Sequence, residues 1–333
     1  MQIRTMLGLS AVTLGIAAPL SCSHEASSKA AGKDEPGVDV REPPKAGSSP
    51  WGPDDEIGAA NRLGPELVQK AAKLITAGKT YSLGMEVNGE TPAFGHRSFR
   101  LYMTEPDNPG GKPIGGNHLT YNDDMIEAWM GVGTQLNGLG HVGIDNVFYN
   151  GNKEADLLTV HGLKKLGLEK VPPMVTRGVM LDMAAHLGTD IVKEGTAIGA
   201  ADIEAMAREE HVTIEQGDVV LFHTGWLDLV GKDNKRFMAG APGINRDAAR
   251  YLADKGIVAV GTDTWPVEVI PFEPGAGTFE VDQWLLVKKG IYVLENIVDA
   301  ALAKDKVYEF MFVLGHPKMT GTVQSIINPI AIR

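Results

Sequence analysis

One glycine-rich stretch of the chain combines polar side chains whose types and spacing could do chemistry. Residues 129–151 hold six glycines, and Gln135, Asn137 and His141 lie at odd-numbered positions among them. Side chains of an extended strand alternate between faces with a period of two, so these three share one face if the stretch stays extended. Two carboxamides and an imidazole on one face could form a pocket for a ligand or a metal ion. The alternative is a loop whose amides hydrogen-bond to their own backbone.

The same stretch resembles the signature of the cyclase family, which includes bacterial kynurenine formamidase, isatin hydrolase and related metal-dependent hydrolases. That signature reads His-x-Gly-Thr-His-x-Asp-x-Pro-x-His, and its Gly-Thr pair falls on Gly133-Thr134. Its last histidine, the acid/base of the family, falls on His141. A divergent branch carries Thr-Gln-x-Asp-Gly-x-x-His, which is closer to this chain. The resemblance therefore implies a catalytic role for His141.

The metal-binding positions of the family are occupied by other residue types here. Gly131, Gln135 and Asn137 stand where the family has His, His and Asp. Further along, related sequences carry a metal-binding His before Leu-Leu and a metal-binding Glu in Leu-Glu-Asn. Asp282 falls on that His position, and Glu295 matches the Glu. The metal set implied by the resemblance is therefore Gln135, Asn137, Asp282 and Glu295.

This ligand set predicts a particular kind of ion. It is rich in oxygen and lacks the histidine donors that zinc favours, so Mn²⁺ fits better than Zn²⁺. Asn137 also lacks the negative charge of the family's Asp, which weakens metal binding. The alternative is a purely structural role, in which Glu295 caps a helix starting near Asn296 and Asp282 is exposed. A nucleotide cofactor is not expected, since no Walker A motif occurs and the glycines at 131 and 133 lack dinucleotide-loop spacing.

A second polar segment follows a predicted strand at residues 257–260. Gly261-Thr-Asp-Thr places Asp263 and Thr264 at the carboxyl end of that strand, where α/β folds bind ligands. Family members have a similar Gly-x-Asp-Thr/Ser segment beside the pocket, so the resemblance implies that Asp263 and Thr264 assist catalysis. His223 matches no catalytic position of the family and is interpreted as a structural or pocket-lining histidine.

The resemblance extends from Trp51 to Arg333 and implies the fold. It predicts a single α/β domain of the swivelling β/β/α type, with a mixed β-sheet flanked by helices. Local patterns agree, because a helix with Pro65 in its first turn is predicted, and a second follows Asn245 and stops at Gly256. Family members are commonly dimers or tetramers, so a homo-oligomer is expected.

The N-terminal residues predict export. Arg4 precedes an uncharged, largely apolar stretch typical of a secretory signal peptide at residues 1–22. Cys22, the sole cysteine, comes just after the apolar run and is the last residue of this segment. It predicts a lipoprotein anchored to a membrane only through this residue. A plain signal peptide is the alternative. Residues 23–50 contain four prolines and few apolar residues, which predicts a disordered tether before the domain at 51–333.

Composition and motifs leave three functional hypotheses. A net charge of −11 without a basic cluster argues against nucleic acid, so the expected partner is a small molecule. The first hypothesis is a metal-dependent hydrolase of a small amide, formamide or lactone, arylformamidase-like, with His141 as acid/base. The second is a metal-free hydrolase or lyase that uses His141 and Asp263. The third is a degenerate, lipid-anchored protein that binds a small molecule without reaction.

Overall fold

The computed structural model describes residues 39–104 and 113–333. The predicted signal peptide, Cys22 and most of the predicted tether lie outside these residues. Within them, the helices are α1 Pro65–Ala72, α2 Glu154–Leu157, α3 Met183–Leu187, α4 Ala200–Glu209, α5 Asn234–Ala239, α6 Arg246–Lys255, α7 Glu280–Asp282 and α8 Ala300–Asp305. A π-helical segment, Gln283–Lys289, continues directly from α7.

The strands of the same residues fall into one large sheet and four short pairs. They are β1 Thr80–Ser82, β2 Phe99–Thr104, β3 Asp123–Ala128, β4 Gln135–Asn137, β5 Val147–Phe148, β6 Asn152–Lys153, β7 Leu158–Thr159, β8 Gly162–Leu163, β9 Met174–Asp182, β10 Ala197–Ile198, β11 Val219–His223, β12 Gly243–Ile244, β13 Ala259–Thr262, β14 Tyr292–Glu295, β15 Glu309–Leu314, β16 Gln324–Ile326 and β17 Ile330–Ile332.

Nine strands form the large sheet, in the order β1-β17-β15-β9-β11-β13-β14-β4-β16. The four central strands β9, β11, β13 and β14 are parallel, and the strands on either side of them are antiparallel. The central strands are buried along nearly their whole length, as expected for parallel strands covered on both faces. Helix α1 packs against β9, and α4 and α6 pack against each other. The predicted mixed sheet flanked by helices in a single curled α/β domain is confirmed.

The second predicted helix begins and ends as its sequence indicates. The Asn245 side chain accepts a hydrogen bond from the Ala248 backbone N–H at 2.9 Å, which satisfies a free donor of the first turn of α6. Gly256 ends the helix with a φ of 74°, a left-handed conformation that glycine adopts at little cost. This helix leads into β13 and so sets the position of the polar segment that follows β13.

Strand pairing at one side of the sheet positions the polar residues of β4. This strand lies between β14 and β16 and is antiparallel to both. Gln135 pairs with Glu295 of β14, and Asn137 pairs with Gln324 of β16. The register therefore brings residues from three distant parts of the chain to one place.

Contacts with the domain begin before Trp51. The Ser49 backbone N–H donates to Asn150 Oδ1 at 2.9 Å, and the Ser49 side chain donates to Asp55 at 2.6 Å. Ser49 is buried, so the last residues of the predicted tether pack onto the domain. Within the described ranges, none of the helices has the length and apolar character needed to cross a bilayer.

Candidate functional site

The amide side chains of β4 lie on one face and bond to other side chains. Gln135 Nε2 donates to the carboxyl of Glu295 and lies 3.4 Å from Asn137 Oδ1. Gln324 Nε2 donates to Asn137 Oδ1 at 2.8 Å. The period-two prediction is therefore right for these two residues. The loop alternative, in which the amides bond to their own backbone, is wrong.

His141 reaches the same region by a different route from the one predicted. The strand ends at Asn137, and the His141 backbone N–H donates to the Gly138 carbonyl at 3.0 Å, closing a turn. The stretch is therefore not extended through to His141. The turn, rather than strand alternation, directs the imidazole toward the cavity that Asn137 also lines.

A cavity of about 280 Å³ unites most of the predicted site residues. Its polar wall and its aromatic wall are formed by Phe94, Arg97, Asn137, His141, Val142, Trp265, Pro266, Thr278, Phe279, Asp282, Gln283 and Glu295. Phe94 stacks on Trp265 with ring centroids 5.5 Å apart, and the edge of Phe279 meets Phe94 at 6.2 Å. A small, partly planar molecule with polar groups suits such a space. Gln135 lies behind the Glu295 carboxyl, in a smaller neighbouring cavity.

Buried carboxyl groups form the floor of the site. Asp282 and Glu295 are 6% and 7% exposed, and the next helix starts at Ala300, so the alternative of an exposed Asp282 and a capping Glu295 is wrong. Burial raises the pKa of Asp282 to about 7. Burial and the nearby Asp282 raise the pKa of Glu295 well above its usual range. Asp282 Oδ1 is buried and accepts no hydrogen bond from the described residues. The Asp282 carboxyl borders the cavity.

Glu268 lies close behind these carboxyls. It is fully buried, and its Oε2 accepts a hydrogen bond from the Val281 backbone N–H at 3.1 Å, while Oε1 has no partner in the described parts of the chain. Burial, and next the charge of Asp282, raises its pKa to about 8. Part of the carboxyl cluster therefore holds protons at neutral pH.

The pKa of His141 shifts in the opposite direction, toward the neutral imidazole. Burial, and next the positive charge of Arg97, lowers the pKa of His141 to about 4. The imidazole is therefore unprotonated at neutral pH and has a free lone pair. It can accept a proton from a water molecule bound in the cavity.

Arg97 was not identified from the sequence, although it lines the cavity. A Cβ atom on Gly131 would lie 2.7 Å from Arg97 Nη1 and 2.9 Å from Gln324 Nε2. The guanidinium thus fills the space next to Gly131. Its carbon lies 5.7 Å from the centre of the Phe94 ring. No spacing pattern points to Arg97, because it comes from the irregular segment before β2.

The surroundings of Gln135, Asn137, Asp282 and Glu295 fit a metal ion poorly, although Gln135 Oε1 and Asp282 Oδ1 accept no hydrogen bond from the described residues. Gly131 offers no ligand, and the Arg97 guanidinium brings a positive charge to that position. Asn137 Oδ1 already accepts a hydrogen bond from Gln324. The described part of the chain has one group of three His, Asp or Glu side chains whose ligand atoms converge. That group lies outside this cavity.

The converging group consists of His223, Asp263 and Asp299 and forms a possible metal site. Their ligand atoms lie within 4.8 Å of one another. His223 Nδ1 is 2.7 Å from Asp299 Oδ1 and 3.6 Å from Asp263 Oδ2. Although burial lowers it, the pKa of His223 rises overall to about 10, because Asp299 and then Asp263 stabilise the charged imidazole. The group as it stands is a buried ion cluster around a protonated histidine.

Asp263 and Thr264 are not brought to the main cavity. The Asp263 carboxylate accepts hydrogen bonds from the backbone N–H groups of Thr224 and Trp226, at 3.0 and 3.1 Å, and so holds the turn after β11. The Thr264 hydroxyl donates to the Pro266 carbonyl. These bonds direct both side chains away from His141. The neighbouring Trp265 lines the cavity in their place.

Comparisons with known proteins agree with the α/β domain. The cyclase family model, described as "Putative cyclase", matches residues 81–269. A crystal structure of a novel cyclase is similar to this chain with a TM-score of 0.79 and 28% identity, covering 89% of this chain and all of the other. The chain therefore belongs to the cyclase family.

More distant solved structures share the fold alone. Isatin hydrolase A from Ralstonia solanacearum is similar with a TM-score of 0.60 and 17% identity, covering 81% of this chain and 99% of the other. Isatin hydrolase A from Labrenzia aggregata, bound to benzyl benzoate, gives 0.56 and 16%, with 80% and 98% covered. No curated protein sequence matches the chain.

Proposed function

We propose that the protein is a hydrolase of a small amide, formamide or lactone, with His141 as its acid/base. The observation that supports this most directly is the cavity itself. It places an unprotonated imidazole next to buried carboxyls and an aromatic wall. Hydrolases such as isatin hydrolase A are built on the same fold. Since the cavity is about 280 Å³, the substrate is a small molecule.

The proposed reaction uses His141 first as a base and then as an acid. His141 takes a proton from a water molecule while the water oxygen bonds to the carbonyl carbon of the substrate. The bond from that carbon to nitrogen or oxygen then breaks, and the imidazolium returns the proton to the leaving group. The Asp282 carboxyl, which lines the cavity, can accept a hydrogen bond from an N–H of the substrate. An N–H next to the scissile bond occurs in amides and formamides.

The alternative is a binding protein that keeps the cavity without the reaction. The observation in its favour is that Gly131 and Asn137 replace residues that the resemblance assigns to a metal site. The second hypothesis from the sequence, with Asp263 as the partner of His141, loses support because Asp263 holds the turn after β11.

The test is hydrolysis of a panel of aryl formamides, cyclic amides and lactones by wild type and His141→Asn. We expect a loss of kcat/KM by about 10²–10⁴-fold in the variant, the usual contribution of a general acid/base. His161→Asn is the matched control, because His161 is exposed and lies in the short hairpin of β7 and β8. Equal rates for wild type and His141→Asn would contradict the proposed role of His141. A panel on which wild type shows no turnover would favour the binding protein.

A further inference from the structure

The side chain of Arg97 occupies the position at which the sequence departs from its family. Gly131 falls on a metal-binding histidine of the family signature, and Arg97 Nη1 lies where a side chain of residue 131 would begin, 2.7 Å from the place of its Cβ atom. A larger residue at 131 and the present position of Arg97 therefore exclude each other. The guanidinium therefore fills the space that a side chain at residue 131 would need.

The guanidinium has free hydrogen-bond donors. A guanidinium offers five N–H donors in a planar fork. Among the described residues, none accepts a hydrogen bond from the Arg97 side chain within hydrogen-bonding distance, and none forms an ion pair with it. Its positive charge nevertheless acts on both Glu295 and His141: it opposes the rise in the pKa of Glu295 that burial and Asp282 cause, and it adds to the lowering of the pKa of His141 by burial. A cation that faces a cavity and has no acceptor among the described residues is suited to an oxygen atom of a ligand.

The aromatic wall holds this cation in place. Arg97 lies over the face of Phe94, which itself stacks on Trp265. Trp265 is fixed in turn, because its indole N–H donates to the Gly240 carbonyl at 3.2 Å. The contact between cation and ring limits the orientations open to the guanidinium. Arg97 therefore enters the cavity as a positioned charge.

We propose that Arg97 supplies the positive charge of this site in place of a bound metal ion, by binding the carbonyl oxygen of the substrate. This inference rests on the proposed hydrolase function. As the water oxygen bonds to the carbonyl carbon, the electron pair of the C=O bond moves onto the oxygen facing Arg97. His141 holds the proton from water. When the oxygen restores the double bond, the bond to the leaving group breaks and His141 gives that group its proton.

The simpler explanation is that Arg97 only fills the space above Gly131, and a rescue experiment separates the two. We would measure kcat/KM for Arg97→Ala with and without added guanidinium ion below its denaturing range. Arg97→Lys tests charge without the planar fork. The matched control is Arg100→Ala, since Arg100 is exposed on β2 and its interactions with Glu127 and Tyr102 lie at the surface.

We expect Arg97→Ala to lose about 10²–10³-fold in kcat/KM, as for loss of an oxyanion donor, and Arg100→Ala to keep the wild-type value. Added guanidinium should restore part of the activity of Arg97→Ala and leave wild type unchanged. Circular dichroism of each variant establishes that it is folded. The proposal is overturned if folded Arg97→Ala keeps the wild-type kcat/KM. It is also overturned if Arg97→Ala and Arg97→Lys both lose activity and added guanidinium restores neither.

Binding of benzoate by calorimetry gives a readout that does not need turnover. A carboxylate presents the charged oxygens that Arg97 is proposed to bind. If wild type hydrolyses nothing but binds benzoate more than tenfold tighter than Arg97→Ala does, the hydrolase function fails and the role of Arg97 in binding oxygen stands. If both bind equally, the role of Arg97 fails whatever the outcome of the hydrolysis assay.

Discussion

Replacing His223 with Gln should strongly destabilise the fold. The substitution removes the one positive charge between Asp263 and Asp299, whose side chains are 2% and 1% exposed, while His223 itself is 12% exposed. His223 bonds to Asp299 Oδ1, and Asp299 Oδ2 accepts no hydrogen bond from the described residues. Removing one partner of a buried ion pair costs about 3–5 kcal/mol, because a charge is left buried without compensation.

The pKa of His223 gives the same direction. It rises on folding from 6.5 to about 10 because the two aspartates stabilise the charged imidazole, while burial raises the pKa of Asp263 to about 7 and also that of Asp299, which offsets part of this stabilisation. Because the pKa is raised in the folded protein, this contribution is fully present below pH 6.5. It is lost as the pH rises toward about 10. The difference between wild type and variant should therefore shrink over that range.

Urea denaturation at pH 6.5 and pH 9.5 measures the effect. His186→Gln is the control, since its ion pair with Glu209 is at the surface and should contribute less than about 1 kcal/mol. A loss below about 1 kcal/mol for His223→Gln at pH 6.5 would refute the buried ion cluster. Stabilisation of wild type by added Mn²⁺ or Zn²⁺ and its loss in the variant would indicate that the cluster holds a metal ion instead.

Two further effects follow from the titrating groups of the cavity. The His141 ring should titrate by NMR near pH 4 in wild type. In Arg97→Gln its pKa should move up toward 6.5, because one positive neighbour is removed. An unchanged pKa would mean that Arg97 does not act on His141. Glu268→Gln should become more stable relative to wild type as the pH rises from 4.5 through about 8, because the raised pKa makes ionised Glu268 costly in the fold. Urea denaturation at pH 5 and pH 9 checks this, with Glu127→Gln as the control because Glu127 is exposed. The same difference in stability between Glu268→Gln and wild type at both pH values would contradict it.

Some of the candidate site follows from local sequence patterns. Gln135 and Asn137 share a face because strand side chains alternate, and this holds wherever the strand pairs. Asp282 and Glu295 join them in the structure as the family resemblance implies, although neither residue has a local pattern that reveals its burial. The mixed sheet follows from the buried strands and the capped helix that precedes β13.

The remainder depends on tertiary structure. Arg97 enters the cavity because an irregular segment passes over Gly131, and no periodicity governs the path of such a segment. Asp263 lies at the strand end where ligands often bind, but hydrogen bonds to the turn after β11 direct its carboxylate elsewhere. The sequence predicts a structural or pocket-lining role for His223, but the two buried aspartates around it come from distant parts of the chain. Sequence spacing could not show that they meet.

The central claim is that a guanidinium, rather than a metal ion, carries the positive charge of the cavity. The direct measurement is hydrolysis by protein treated with a strong chelator and shown by elemental analysis to be free of metal. The account predicts that the metal-free protein keeps its full kcat/KM and that added Mn²⁺ or Zn²⁺ changes it little. Loss of activity on chelation, followed by recovery with either ion, would contradict it.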